Sequence, residues 1–168
     1  MAPDNFITLE IDKDSEKRLK AMFGNVAKFM EHPKMIEAML ASAFILEGES
    51  KKQLDEMVYS QPEGDYKRTR KLFNATVVQG QKVSIVGDHV NVSGQPEVKK
   101  TKNNLTTGVE SHVNYSVYVH SGTGMDAGTG PRPYFTKGAQ KVKGQIEKEI
   151  SKRIGETIQL KVNITGGI

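Results

Sequence analysis

Hydrophobic and polar positions alternate over residues 5–11, with Ile7, Leu9 and Ile11 on one side and Phe6, Thr8 and Glu10 on the other. A period of two in so short a run predicts a β-strand with one apolar face. The period then changes. Leu19, Met22, Phe23, Val26, Phe29 and Met30 recur at spacings of three and four, which predicts an amphipathic helix over about 15–30, capped by Asp14 or Ser15. Pro33 interrupts it, because proline has no amide to donate and disfavours helix in the residue before it. Proline suits a first helical turn, so a second helix is predicted from Pro33 or Lys34 to about 59. Met35, Ile36, Met39, Leu40, Ala43, Phe44, Leu46, Leu54, Met57 and Val58 carry it, and Gly48 with Ser50 predicts a kink in the middle.

Residues 60–70 are polar and predict a loop. Beyond it the pattern returns to a period of two, which predicts strands over 71–79, 82–86 and 90–92 with turns at Gly80–Gln81 and Gly87–Asp88. Residues 95–107 are polar, hold Lys99, Lys100 and Lys102, and predict a mobile loop. Residues 108–119 predict a further strand, with Val109, Val113, Tyr115, Val117 and Val119 on one face. A Gly/Pro-rich loop follows over 122–131. The stripe Phe135, Ala139, Val142, Ile146, Ile150 and Ile154 then predicts a long helix from Pro133 or Tyr134 to about 157, and residues 158–164 predict a last strand. This order predicts one α+β domain over 1–168: a mostly antiparallel sheet with two N-terminal helices and one long C-terminal helix packed on one face.

Composition narrows the chemistry. Hydrophobic residues make up 36% of the chain, so the core is small and partners are expected to complete the burial. The absence of cysteine excludes disulfides, thiolate catalysis and zinc–thiolate sites. No apolar run approaches the ~18–20 residues that span a bilayer. The start MAPDNFITLEID does not read as a signal peptide, so the chain is expected to stay in the cytoplasm or in a particle built there. Charge is uneven: residues 1–65 hold 8 Lys/Arg against 13 Asp/Glu, and residues 66–168 hold 16 against 7. Such a division suits either a basic face toward DNA or complementary surfaces that pair subunits, and the second is the simpler expectation.

Catalytic constellations are not found. The four histidines (32, 89, 112 and 120) show no i, i+4 pair. His112 and His120 share strand parity but would stand roughly 26 Å apart on one strand. Glu147 and Glu149 lie among lysines on a helix face expected to be solvated. The stretch SGTGMDAGTG over 121–130 lacks the spacing of a phosphate-binding loop, and Ser121 is on no Gly-x-Ser-x-Gly turn. No catalytic residue, cofactor or metal is expected.

One segment is more informative. Tyr115–Phe135 reads YSVYVHSGTGMDAGTGPRPYF, and a proline-led aromatic pair opens the last helix. It resembles the head–tail joining and tail-completion (neck) family of long-tailed bacteriophages, whose members show a strand ending Tyr-x-x-Tyr-Val-Glu-x-Gly-Thr and then an arginine–proline–aromatic lead into a C-terminal helix. Tyr115, Tyr118, Val119, Gly122, Thr123, Arg132, Pro133, Tyr134, Phe135 and Ala139 match, and His120 stands where many members carry glutamate. A weaker match, Pro62, Gly64 and Arg70-Lys71-Leu72, falls where the family hands over from a long helix to the sheet, without its Thr-Gly.

The resemblance implies a non-enzymatic virion protein of the neck or upper tail, assembled in the host cytoplasm. It implies a ring of this chain, six copies in number, between head-completion or connector proteins and the tail terminator or tail tube. Tail terminator or minor tail protein is an alternative within the class. A basic nucleic-acid-binding accessory domain is the alternative outside it, and DNA in the ring's channel is a further expected contact. Under this reading Arg132, Gly122, Thr123, Lys99, Lys100 and Lys102 are interface or loop residues, and Tyr115, Tyr118, Pro133, Tyr134 and Phe135 anchor the fold. No membrane contact is expected.

Overall fold

The computed structural model describes residues 6–24, 26–60, 69–101, 104–122, 130–154 and 161–167. Strand β1 (Phe6–Ile11) lies at the centre of the main sheet. It pairs antiparallel with β6 (Leu105–Ser111), in the register Leu9↔Thr107, and with β7 (Val162–Gly167), in the register Leu9↔Ile164. Beyond β6 come the short strands β2 (Thr76–Val78) and β5 (Lys99–Lys100), both antiparallel to it. The alternation read in β1 is the physical one: Ile7, Leu9 and Ile11 are buried, while Thr8 and Glu10 are half-buried. The molecule is therefore α+β with an antiparallel sheet.

The N-terminal helical stretch is built differently from the expectation. Asp12, rather than Asp14 or Ser15, caps α1 (Lys13–Phe23) by accepting from the Ser15 amide at 2.6 Å. The Ser15 hydroxyl instead accepts from the Lys161 amide at 2.8 Å, which ties the helix start to the chain entering β7. Gly24, at φ 82°, stops α1 before Pro33 is reached. A separate turn of helix, α2 (Val26–Glu31), then precedes α3 (Pro33–Leu54), with Pro33 in its first turn. The stretch thus holds three helices where two were expected.

Helix α3 is continuous through Gly48 and Ser50, and passes into one wide turn over Asp55–Tyr59. Ser50 is fully buried because it faces Gly138 of α6 (Tyr134–Ile154), and two small residues let the helix backbones meet. The α3–α6 contact is the most extensive in the molecule, and α3 also packs on β2 and β6, α6 on β7. Met35, Met39 and Leu46 of α3 join Val142, Ile146 and Ile150 of α6 and the inward residues of β1 in one core.

Three further expectations are corrected. Residues 71–79 are not one strand. Arg70, at φ 57°, starts a helical turn α4 (Lys71–Asn74), and only Thr76–Val78 is extended. The Arg70 guanidinium stacks 4.5 Å from the Phe73 ring centroid and 5.1 Å from that of Tyr59, and pairs with Asp55 at 2.9 Å. These contacts hold the handover in shape. The segment over 95–107, expected as a loop, carries β5 and the start of β6 among its described residues; Leu105 and Thr107 are buried, and the Glu97 amide donates to the Gln79 carbonyl.

The strand expected over 108–119 ends at Ser111, and Ser116–Ser121 is helical instead. Helix α5 (Ser116–Ser121) buries Ser116, Val119 and His120, with Val113 just before it, and ends at Gly122, φ 73°. Buried positions 113, 116, 119 and 120 follow the helical spacing. Two of the four are polar residues, so an apolar count along the chain misses it. In consequence His112 and His120 are not on one strand.

Candidate assembly surfaces

Strands β3 (Lys82–Val86) and β4 (His89–Ser93) form a hairpin with its own two-stranded sheet, turning at Gly87–Asp88 as the sequence predicts. Its register pairs Val83 with Val92 and Ile85 with Val90. Cross-strand partners share a face, so one side of the hairpin is four branched apolar residues. The molecule covers that side only in part. Val83 and Val90 pack against the core, while Ile85 is 37% exposed and Val92 44%. On the other side Val86 is 67% exposed. An isolated two-stranded hairpin is marginally stable in water, and this one gains support from the Lys71–Asp88 ion pair at 2.8 Å. Its uncovered apolar side chains are surface that a neighbour can bury.

A second surface is the outer edge of the main sheet. Strand β7 pairs with β1, and no other described strand pairs with it. The Val162 amide on that edge donates to Glu147 at 3.1 Å, and beyond it the outward backbone groups are a place where another chain can pair. Between this edge and α6 lies a groove of about 340 Å³ lined by Ile7, Ala139, Lys143, Ile164 and Thr165, among others. A third surface is the outer stripe of α3, where Phe44 is 47% exposed between Glu37 and Gly48.

The residues singled out from the sequence do not form one cluster. Lys99 and Lys100 are exposed on β5, where neighbouring side chains leave on opposite faces, and the Lys100 ammonium stands 3.9 Å from Glu31. Thr123 and Lys102 lie outside the described residues. Gly122 and Arg132 are the stems of the loop between α5 and α6. A Cβ on Gly122 would meet the Pro131 nitrogen at 2.7 Å, and the Arg132 amide donates to the Val119 carbonyl at 3.1 Å. Arg132 and Pro133 are half-buried, and Tyr134 and Phe135 are buried in the core. Tyr115 and Tyr118, expected to anchor the fold, are instead 41% and 50% exposed around α5. They belong to the surface.

Behind α5 sits a polar pocket that the sequence does not announce. His120 is buried edge-on to Tyr134, with ring centroids 5.4 Å apart, and its Nε2 lies 3.3 Å from the Thr136 hydroxyl. Among the described residues its Nδ1 has no hydrogen-bond partner, and the buried Ser111 hydroxyl acts on the Tyr134 phenol. Burial pushes the His120 pKa below its ordinary value and pushes the Tyr134 phenol up. Among the described residues no cluster of three or more His, Asp or Glu is placed to hold a metal. No helix of the described residues is long and apolar enough to cross a membrane.

The charge division reads differently in three dimensions. Glu16 pairs with Lys20, Glu47 with Lys51 at 2.6 Å, Asp55 with Arg70, and Asp88 with Lys71. Glu49 and Glu56 both approach Lys141, at 3.6 Å each. Five acids of the N-terminal part, Glu16, Glu47, Glu49, Asp55 and Glu56, are thus engaged within the subunit. The chain matches no protein-family model, no curated protein and no solved structure.

Proposed function

We propose that this chain is a structural protein of a bacteriophage neck or upper tail, which joins head and tail or completes the tail by assembling with copies of itself into a closed ring. The observation that carries the reading is the apolar side of the β3–β4 hairpin, left half uncovered by its own subunit. A hairpin of this kind is an arm, and the open β7 edge with its groove is a different patch on the same molecule. Two unlike patches on one chain are what a ring closed by head-to-tail contacts requires. In this reading α3 and α6 cover one face of the main sheet. The other face carries Thr8, Glu10, Thr106, Asn163 and Thr165, aligned by the strand register, and is turned toward neighbours.

The choice of virion layer rests on the sequence resemblance. Its support here is the Arg132-Pro133-Tyr134-Phe135 lead, which delivers two aromatics into the core at the start of α6. The helical form of Ser116–Ser121 departs from the strand of the resembled motif. The partners that follow are its own copies, six in the resembled rings, with a head-completion or connector protein on one side and a tail terminator or tail-tube protein on the other. The chain works by contact, without catalysis. Particles made without the protein are expected to show filled heads beside unjoined or unfinished tails in electron micrographs. Normal infectious particles would overturn the reading.

A further inference from the structure

Helix α6 buries Val142, Ile146 and Ile150 and presents lysines on its opposite side. Lys137, Lys141, Lys148 and Lys152 are all exposed and fall within about 60° of one another around the helix axis, over a length of about 22 Å. No acidic residue of the helix shares that arc, which Gly144 and Gln145 flank on either side. The two acids of the helix are turned aside and used: Glu147 accepts from the Val162 amide at 3.1 Å, and Glu149 accepts from Arg153 at 2.5 Å. Lys141 reaches Glu49 and Glu56, whereas Lys137, Lys148 and Lys152 make no ion pair among the described residues.

We infer that this stripe is a sequence-independent contact for the phosphate backbone of duplex DNA. Three observations select that occupant. A membrane-surface helix needs its apolar face free, and here that face is in the core. A single strand needs aromatic platforms for its bases, and the stripe has none. A second copy of this chain would need an exposed acidic surface, and most described acids are already paired within the subunit. A rigid row of ammonium groups is complementary to duplex phosphates. The inference is independent of ring assembly, since it concerns the subunit alone.

The test is fluorescence anisotropy of the full chain with a random-sequence duplex of about 30 base pairs across a salt series. The variant Lys137→Gln/Lys148→Gln/Lys152→Gln is compared with Lys13→Gln/Lys34→Gln/Lys52→Gln, which removes equal charge at exposed positions elsewhere. Circular dichroism checks that both fold. Each phosphate contact adds about 0.9 to the log–log salt slope, so the α6 variant is expected to lose about 2–3 of that slope and at least tenfold in low-salt affinity. The control is expected to change less than twofold. Equal losses in the two variants, binding to single strands as tight as to duplex, or tighter binding to poly-glutamate than to DNA would each overturn the inference. The last outcome would assign the stripe to an acidic protein. Incorporation of the α6 variant into particles reports on ring assembly separately, so the two readings can fail independently.

Discussion

Gly138 on α6 lies against Ser50 on α3 so closely that a Cβ added at Gly138 would stand 3.1 Å from the Ser50 Cα, nitrogen and hydroxyl oxygen. Two of those three atoms are backbone and cannot yield without moving the helix. Gly138→Leu is expected to lower stability by about 2–3 kcal/mol through overpacking. Gly144, two turns along the same helix, has nothing within 4 Å of its missing Cβ. There alanine should raise stability by about 0.5–1 kcal/mol through helix propensity alone. Urea unfolding of the two variants checks both signs.

Gly108 gives the sharper case. It pairs with Thr8 in the β1–β6 ladder, and a Cβ there would come within 2.0 Å of the Ile7 carbonyl oxygen. No rotamer relieves a clash between Cβ and backbone. Gly108→Ala is expected to cost about 3 kcal/mol or more, since the central strand pair must separate. A change within about 0.5 kcal/mol in the same unfolding measurement would contradict this register.

The pH dependence follows from His120. Its folded pKa lies below the ordinary 6.5 because burial disfavours the imidazolium. Above pH 6.5 both folded and unfolded forms are neutral and the group has no effect. As pH falls below 6.5 the unfolded chain takes up a proton that the native state refuses, so stability declines until the folded pKa is passed. A His120→Leu variant should lose this part of the slope. Unfolding free energies measured between pH 7 and pH 5 should fall more steeply for the wild type than for the variant, and equal slopes would refute the assignment.

Much of the fold is legible in the sequence, and the failures share a cause. Strand β1, the β3–β4 hairpin and helix α6 read correctly because their apolar positions keep one period throughout. Residues 112–121 mislead because β-branched valines suggest a strand, while the buried set includes Ser116 and His120. Ser50 misleads for a related reason: a small residue reads as a weak point until its partner Gly138, 88 positions away, is known. The surfaces were partly visible. Val83 with Ile85 and Val90 with Val92 mark an apolar hairpin side, and lysines at 137, 141, 148 and 152 mark one helical face. That these faces stay uncovered is a property of the folded chain alone.

Arg132 sits half-buried at the base of the α5–α6 loop, where its backbone already bonds to Val119. Arg132→Ala keeps those backbone bonds. The isolated subunit should stay folded, with a thermal midpoint within a few degrees of wild type (about 1 kcal/mol or less), while its incorporation into particles falls. Unchanged incorporation would show that the side chain does not anchor a neighbour.

The most direct measurement concerns the hairpin. Ile85→Thr/Val92→Thr keeps the β-branched shape and replaces apolar groups that the subunit covers only in part, so circular dichroism should be unchanged and unfolding should shift by about 1 kcal/mol or less. Supplied to particles that lack the protein, this variant should fail to enter them and fail to restore joined, infectious virions. Full restoration by the double variant would contradict the claim that subunits meet through this arm.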